Sequence, residues 1–283
     1  MKKTDYAKTL NWEIETKDLA LGNSRHARKK IISRSDNGQV LGIVGIKYEP
    51  VHNATLLKIA QAIAATDKFE LEGFEEHKGG NHILCYLSKK NVYLNINGHR
   101  MYESMVISNS HNGSTRFCIS SQTRMKRCGN LYSRPLKVYS KKHLASIEFK
   151  PSDVEEIIQT YLLKKEKMYS DFDGMDKIKV NPSIVHKLIT EIHRMLSNDS
   201  RVPKENEWVN IPSMKLLKLS IDREMSALGN NLFGLFNGVT WYTSHEMRNS
   251  HSGWSRFNGT AAEINQKAFR FCNNIMKNNK SSI

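Results

Sequence analysis

The chain of 283 residues has little cysteine and no long hydrophobic run. Its four cysteines, Cys85, Cys118, Cys128 and Cys272, include no pair with CxxC spacing, so we expect free thiols and no structural metal. No apolar run approaches the roughly 18–20 residues that a membrane-spanning helix requires. The first ten residues, MKKTDYAKTL, lack the apolar stretch of a signal peptide. We therefore expect a cytoplasmic protein without a membrane partner.

Acidic side chains are absent from a long stretch of the first half. No Asp or Glu lies between Glu103 and Glu148, whereas this carboxylate-free stretch contains eight Lys and Arg residues. The whole chain has 43 Lys plus Arg against 28 Asp plus Glu, a net charge of +15, and residues 1–150 hold 25 basic against 13 acidic side chains. A positive surface can serve solubility alone. A stretch this long without a carboxylate favours a nucleic-acid partner, because phosphates are its natural counter-charge.

Motifs of catalysis and cofactor binding are also absent. The sequence contains no GxSxG nucleophile elbow, no HExxH zinc motif and no GxxxxGK[ST] phosphate loop. We therefore assign no catalytic residue, cofactor or metal. An enzyme acting on nucleic acid remains an alternative, in which His111 and His245 would lie near a carboxylate and supply acid–base chemistry.

The order of secondary-structure signals predicts an α+β fold. Strand patterns dominate residues 1–150, and helix patterns dominate residues 151–283. We interpret these as a basic, strand-rich subdomain and a helix-rich subdomain of one continuous fold. A mainly antiparallel sheet in the first half, with helices packed on it, is expected.

Several elements can be placed from turn and capping signals. A hairpin is predicted for residues 30–45 around the turn Ser35-Asp-Asn-Gly38, and Asn53 is a candidate N-cap for a helix over 54–65. Ser152 and Glu155 have capping-box spacing before a helix that reaches about residue 169. Residues 171–176 are the best candidate loop between the two subdomains. The further predicted elements are strands at 69–74, 83–87, 92–96, 105–109 and 115–121 and helices at 182–196, 213–228 and 260–276.

The carboxylate-free stretch combines cations with aromatic rings, as single-stranded nucleic acid requires. Cations hold phosphates, and rings stack on unpaired bases for about 1–3 kcal/mol each. No helix is densely basic, and zinc-finger, basic-zipper and RNP-type motifs are absent, which favours single strands over a duplex groove. The predicted nucleic-acid-binding residues are Arg116, Arg124, Lys126, Arg127, Arg134, Lys137, Lys141, Lys142, Tyr48, Tyr132 and Tyr139.

Four segments, in order, resemble the phage/plasmid-like proteins, a family that bacteriophages, prophages and plasmids carry and that is defined around a domain of unknown function. The segments are SRSDNGQVLGIVGIKYEPVHN (33–53), the turn NSHNGS (109–114), CGN (128–130) and LFNGVTWYTSH (235–245). The chain departs from the family pattern at Asn112, Gly238 and Arg127, where the family has aspartate, alanine and valine. The family-motif residues of unknown role are Asn53, Asn109, His111, Gly113, Asn130, Asn237, Thr240 and His245.

The resemblance implies a mobile-element setting, in the host cytoplasm if the protein is phage-encoded, and supplies no catalytic residue. Our first hypothesis is a phage or plasmid protein that binds single-stranded DNA without sequence specificity and anneals it in recombination or replication, working as a homo-oligomer. The alternatives are an interaction protein that binds a host protein to counteract a host defence, and the nucleic-acid-processing enzyme above.

Overall fold

A computed structural model describes residues 10–19, 29–96, 99–125, 131–144, 150–197, 203–247 and 253–280. Antiparallel sheets occupy the first half of the chain and helices occupy the second, so the predicted α+β fold is confirmed. In the described part of the chain, no helix is long and apolar enough to cross a membrane.

The first three strands form an antiparallel sheet. They are β1 (Ile14–Leu19), β2 (Lys29–Arg34) and β3 (Val40–Gly45), in the order β1-β2-β3. The Gly38 N–H donates to the Arg34 carbonyl at 3.0 Å and closes the turn between β2 and β3. The hairpin predicted from the Asn-Gly pair is therefore confirmed.

Helix α1 (Asn53–Ala64) forms close to the predicted range, but it is capped differently from our prediction. His52 occupies the N-cap position without a side-chain cap, and the Asn53 side chain turns inward. The Glu13 carboxylate instead accepts the Ala54 N–H at 2.9 Å and satisfies one of the free donors of the first turn. The buried residues of the helix are Asn53, Leu56, Ile59, Ala60 and Ile63.

A second, five-stranded sheet follows in the simple order β4-β5-β6-β7-β8. The predicted strands at 83–87 and 92–96 are parts of a single strand, β5, and a strand that the sequence did not suggest, β8, completes the sheet. The strands are β4 (Phe69–His77), β5 (His82–Ile96), β6 (His99–Ser110), β7 (Phe117–Met125) and β8 (Leu131–Lys141).

Six α-helices lie in the described second half. They are α2 (Pro151–Asp176), α3 (Pro182–Ser197), α4 (Pro212–Leu228), α5 (Leu232–Trp241), α6 (Gly253–Asn258) and α7 (Thr260–Lys280). A π-helical turn, Tyr242–Glu246, directly follows α5. Two predictions are wrong at α2. Residues 171–176 continue the helix instead of forming a loop, and the Asp153 carboxylate, which accepts the Lys150 N–H at 2.8 Å, makes the N-terminal cap in place of Ser152 and Glu155.

The chain forms two compact units. Unit 1 comprises Met1–Val92, Glu103–Ser121 and Leu136–Leu163, and unit 2 comprises Tyr93–Tyr102, Gln122–Pro135 and Lys164–Ile283. The division of the sequence at residue 150 into two subdomains stays a prediction.

The core of unit 1 joins both sheets to α1 and to the first half of α2. Phe69 of β4 and Tyr161 of α2 meet edge to face, with ring centroids 5.3 Å apart. Both side chains are essentially fully buried, and such aromatic pairs add about 0.5–1.5 kcal/mol to the burial of their surface. The first half of α2 is therefore an integral part of unit 1.

The core of unit 2 is built around Phe172 of α2. Its ring centroid lies 5.7 Å from that of Phe233, 5.8 Å from that of Phe236 and 5.9 Å from that of Phe269. The axes of α4 and α5 approach closely at Gly238, where a Cβ would collide with the backbone of Ile221. Glycine is required here by the approach of the two backbones.

Candidate functional site

Three family-motif residues that are distant in sequence meet inside unit 1. The His111 Nε2 lies 3.1 Å from the Asn53 Oδ1, and the His111 Nδ1 lies 3.4 Å from the Asn109 Nδ2. The two amides are oriented by backbone carbonyls, because Asn53 Nδ2 donates to Trp12 at 2.9 Å and Asn109 Nδ2 donates to Val51 at 3.1 Å. This orientation makes His111 a donor at Nε2 and an acceptor at Nδ1. We call these three residues the amide–imidazole cluster.

The imidazole of His111 is buried and neutral. Its side chain has no exposed surface, and burial lowers its pKa from 6.5 to about 3. The rings of His111 and Trp12 pack edge to face, with centroids 5.5 Å apart. The Arg34 guanidinium lies over the Trp12 ring, 4.0 Å from its centroid. A general base must reach its substrate. The geometry therefore gives no support to the alternative in which His111 does acid–base chemistry.

The turn that carries His111 is held from both ends. The Ser110 hydroxyl accepts the Thr115 N–H at 3.0 Å, and the His82 Nε2 lies 2.8 Å from the Ser114 hydroxyl. Gly113 has φ +72°, a conformation in which a side chain is strained. The amide–imidazole cluster and this turn therefore form one continuous hydrogen-bonded structure around a buried imidazole.

Tyr48 belongs to this buried structure, which corrects its predicted role in contacting bases. Its hydroxyl donates to the Ser110 carbonyl at 2.7 Å, and its ring stacks on His143 with centroids 4.9 Å apart. Burial raises the pKa of Tyr48 and lowers that of His143. Because only 9% of Tyr48 is exposed, its faces are not accessible to a nucleobase.

Three exposed cations adjoin residues of this buried structure in the sequence. Lys47 precedes Tyr48, Arg116 follows Thr115, and Lys142 precedes His143. All three side chains are exposed, and within the described part of the chain none of them forms an ion pair. The neighbouring carboxylate of Glu49 is already paired with Lys30 at 3.2 Å. We call Lys47, Arg116 and Lys142 the cationic rim.

The other predicted nucleic-acid-binding residues are placed less completely. Lys141 and Tyr139 are half-buried on β8, where the Tyr139 ring lies edge to face with Phe117, at 6.3 Å between centroids. The backbone of Arg124 lies in β7 and that of Tyr132, Arg134 and Lys137 lies in β8, but their side chains are outside the described structure. Lys126, Arg127 and the motif residue Asn130 lie outside the described residues.

The motif residues of unit 2 form a second buried polar ladder. Asn237 Nδ2 donates to the Phe233 carbonyl at 2.9 Å, and the Thr240 hydroxyl donates to the Asn237 carbonyl at 2.9 Å. One turn further on, the Thr243 hydroxyl donates to the Asn265 Oδ1 of α7 at 2.8 Å. The ladder thus ties α5 and the π-helical turn to α7.

The ladder positions an exposed stack that sequence reasoning missed. The His245 ring lies over Trp241, with centroids 4.3 Å apart, and the Arg223 guanidinium lies 3.6 Å from the Trp241 centroid. The indole of Trp241 therefore contacts both groups. The NGVTWYTSH segment placed Trp241 beside the motif residues, but only the π-helical turn and the crossing of α4 bring the three groups together.

Metal-ligating groups do not gather in the described structure. In the ranges given above, no group of three or more His, Cys, Asp or Glu side chains could hold a metal ion. Cys85, Cys118 and Cys272 are buried free thiols, and burial raises the pKa of Cys272 to about 12, which makes it a poor nucleophile.

The comparisons with known proteins give a family without a known activity. No curated protein and no solved structure matches the chain. Residues 40–270 match the family described as "Domain of unknown function (DUF932)". This range contains most of the first motif-bearing segment, which begins at residue 33, and the whole of the other three. Since the match spans most of the sequence, the chain belongs to this family.

Proposed function

We propose that the protein binds single-stranded nucleic acid through its phosphates, without sequence specificity, and that it promotes annealing of complementary DNA strands for a phage or plasmid inside its host. The observation that carries the proposal is the carboxylate-free stretch, together with the exposed and unpaired cations that it places on the cationic rim. The mobile-element setting is supported by the resemblance described above, and the annealing step by a looser analogy to phage recombination proteins that anneal single strands and are also basic α+β proteins.

Rigidity of the supporting structure favours this use of the cationic rim. Lys47, Arg116 and Lys142 each adjoin a residue that the buried contact immobilises, so their backbones do not have to be ordered when a ligand binds. Preorganised contacts lose less conformational entropy on binding. Cations of this kind hold phosphates, and phosphate contacts carry no sequence information.

The salt dependence of binding measures the number of phosphates that are held. Each phosphate neutralised on a single strand contributes about 0.7 to the slope of log affinity against log salt. Three rim cations therefore contribute a slope of about 2, which weakens binding roughly 20-fold between about 50 and 200 mM salt.

The test is fluorescence anisotropy of labelled single-stranded and duplex DNA at these two salt concentrations. The rim variant is Lys47→Glu, Arg116→Glu and Lys142→Glu combined. The matched control reverses three other exposed lysines of unit 1, Lys17, Lys58 and Lys68, and so changes the net charge equally. We expect the rim variant to lose about 2 from the slope and the control to keep it.

Two results would refute parts of the proposal. If wild-type protein binds no single strand at about 50 mM salt, the nucleic-acid function is wrong, and a host-protein partner becomes the hypothesis to test. If both variants weaken binding equally, the overall charge attracts DNA and the cationic rim is not the site. Strand annealing is followed separately by fluorescence transfer between complementary oligonucleotides, and an unchanged annealing rate at saturating protein would remove that step.

A further inference from the structure

Unit 2 contains a groove of about 410 Å³ between α3 and α7, with both charged and apolar residues in its lining. Lys187 and Glu191 line it from α3, and Lys267, Arg270, Phe271 and Asn274 line it from α7. Its volume is within the range of about 300–1,000 Å³ that is usual for small-ligand sites.

The charges of the groove are unbalanced. The Lys267 ammonium pairs with the Glu191 carboxylate at 2.9 Å, which neutralises both groups. Lys187 and Arg270 are exposed and, within the described part of unit 2, have no ion-pair partner. The groove therefore presents two positive charges that no protein group compensates, and an anion is the ligand that they favour.

The remaining lining indicates what kind of anion fits. Ile275 is half-buried and contributes apolar surface to the groove, and Asn274 is exposed with an amide that both donates and accepts hydrogen bonds. A ligand with two negative ends and a less polar body between them matches this lining better than a small inorganic anion. A nucleotide unit between two phosphates has these properties.

The helices that carry the two free cations are anchored firmly. Leu188 and Ile189, which follow Lys187, are fully buried, and so are Ala268 and Phe269, which precede Arg270. The backbone positions of the two cations are consequently fixed by helix packing. A repeating phosphate backbone is recognised through contacts from such fixed positions.

We infer that this groove is a second nucleic-acid contact, in which Lys187 and Arg270 hold the two phosphates that flank one nucleotide of a single strand. The inference rests on the proposed function and gives unit 2 its own part in it. The Glu191–Lys267 ion pair lowers the affinity for the strand, because Lys267 is bound to Glu191 and does not contact a phosphate.

The experiment uses the full chain and labelled single-stranded DNA, with anisotropy measured from about 50 to 200 mM salt. The groove variant is Lys187→Glu with Arg270→Glu. Its matched control is Lys167→Glu with Lys215→Glu, two exposed and unpaired lysines of unit 2 outside the groove. Since all four side chains are exposed, thermal unfolding of both variants should match that of the wild type.

The groove variant should lose about 1.4 from the salt slope, the contribution of two phosphates, and the control should lose none. The opposite change is expected for Glu191→Gln, which frees Lys267 and should raise the slope by about 0.7 and tighten binding several-fold. A gain of affinity cannot result from misfolding, so this variant keeps the inference testable if the groove variant is unstable.

Failure of the groove and failure of the proposed function are distinguishable. If wild-type protein binds DNA, the rim variant loses binding, and neither the groove variant nor Glu191→Gln changes the slope, the groove inference is overturned and the function stands. If wild-type protein does not bind DNA at low salt, both are overturned. Equal loss in the groove variant and its control also overturns the groove inference.

Discussion

Acid should destabilise unit 1 through His111 by an amount that the structure fixes. Burial lowers the pKa of His111 from 6.5 to about 3 in the folded state. A histidine with a lowered folded-state pKa contributes stability above its unfolded pKa, and that stability is lost as the pH falls from about 6.5 toward 3. At about pH 5 the unfolded imidazole is almost fully protonated and the folded one is neutral, which costs about 2 kcal/mol. Because the folded-state pKa of His111 lies well below pH 5, the cost of about 2 kcal/mol depends on the unfolded-state pKa and hardly on the folded-state value.

The assay is urea unfolding at about pH 7 and pH 5, followed by tryptophan fluorescence because Trp12 packs against His111. His111→Gln removes the titrating group, and its loss of stability between the two pH values should be about 2 kcal/mol smaller than that of the wild type. Burial also lowers the pKa values of His82 and His143, and both remain in the variant, so the comparison isolates His111. His52→Gln, which removes an exposed imidazole, is the control.

An equal pH-dependent loss in wild type and His111→Gln would refute a buried neutral imidazole. If the variant does not fold, the protonation state can be read from the wild type alone. The nitrogen chemical shifts of His111 should then report a neutral ring with the proton on Nε2 at about pH 5, and an imidazolium signal would contradict the geometry of the amide–imidazole cluster.

Two further predictions concern packing and a buried carboxyl. Gly238→Ala introduces the residue of the phage/plasmid-like pattern, but its Cβ would meet the backbone of Ile221. We therefore expect it to lower the free energy of unfolding by about 1–3 kcal/mol. The control Gly45→Ala should be tolerated, because nothing lies within 4 Å of a Cβ at that position. Thermal unfolding of the two variants checks this, and an equal effect would contradict the close helix approach. Burial raises the pKa of Glu103 to about 7 although Lys89 lies 3.7 Å away. A raised carboxyl pKa contributes stability that is lost as the pH rises through about 4.5 to 7, so Glu103→Gln should gain roughly 2–3 kcal/mol relative to wild type between about pH 5 and pH 8, measured by urea unfolding. A gain that is the same at both pH values would show that Glu103 does not titrate in this range.

Local signals predicted the elements that depend on local contacts. The Asn-Gly hairpin and the helix that starts at Pro182 require neighbours only a few residues away, and both form as expected. Residues 171–176 misled the prediction because Gly174 is a weak helix former. In the structure Gly174 packs against the Met276 side chain of α7, and this tertiary packing overrides the poor helix propensity of glycine.

Long-range partners explain why the site was predicted only in part. Asn53 has the residue type of an N-cap, but its partners, the Trp12 carbonyl and His111, lie 41 and 58 positions away in the sequence. Arg116 and Lys142 are exposed because charged side chains remain in water, so their exposure could be predicted from the sequence. Burial of Tyr48 depends on Ser110 and His143, and no local pattern reveals such a contact.

The division of α2 between the two units determines where the chain can be cut. Val154, Ile157, Ile158 and Tyr161 belong to the hydrophobic core of unit 1, although they follow the last strand by more than ten residues. A fragment that ends at residue 150 would leave an open apolar face, whereas one that ends near residue 163 would keep it covered. During synthesis, the nascent sheets must likewise wait for the first turns of α2 to leave the ribosome before unit 1 can close.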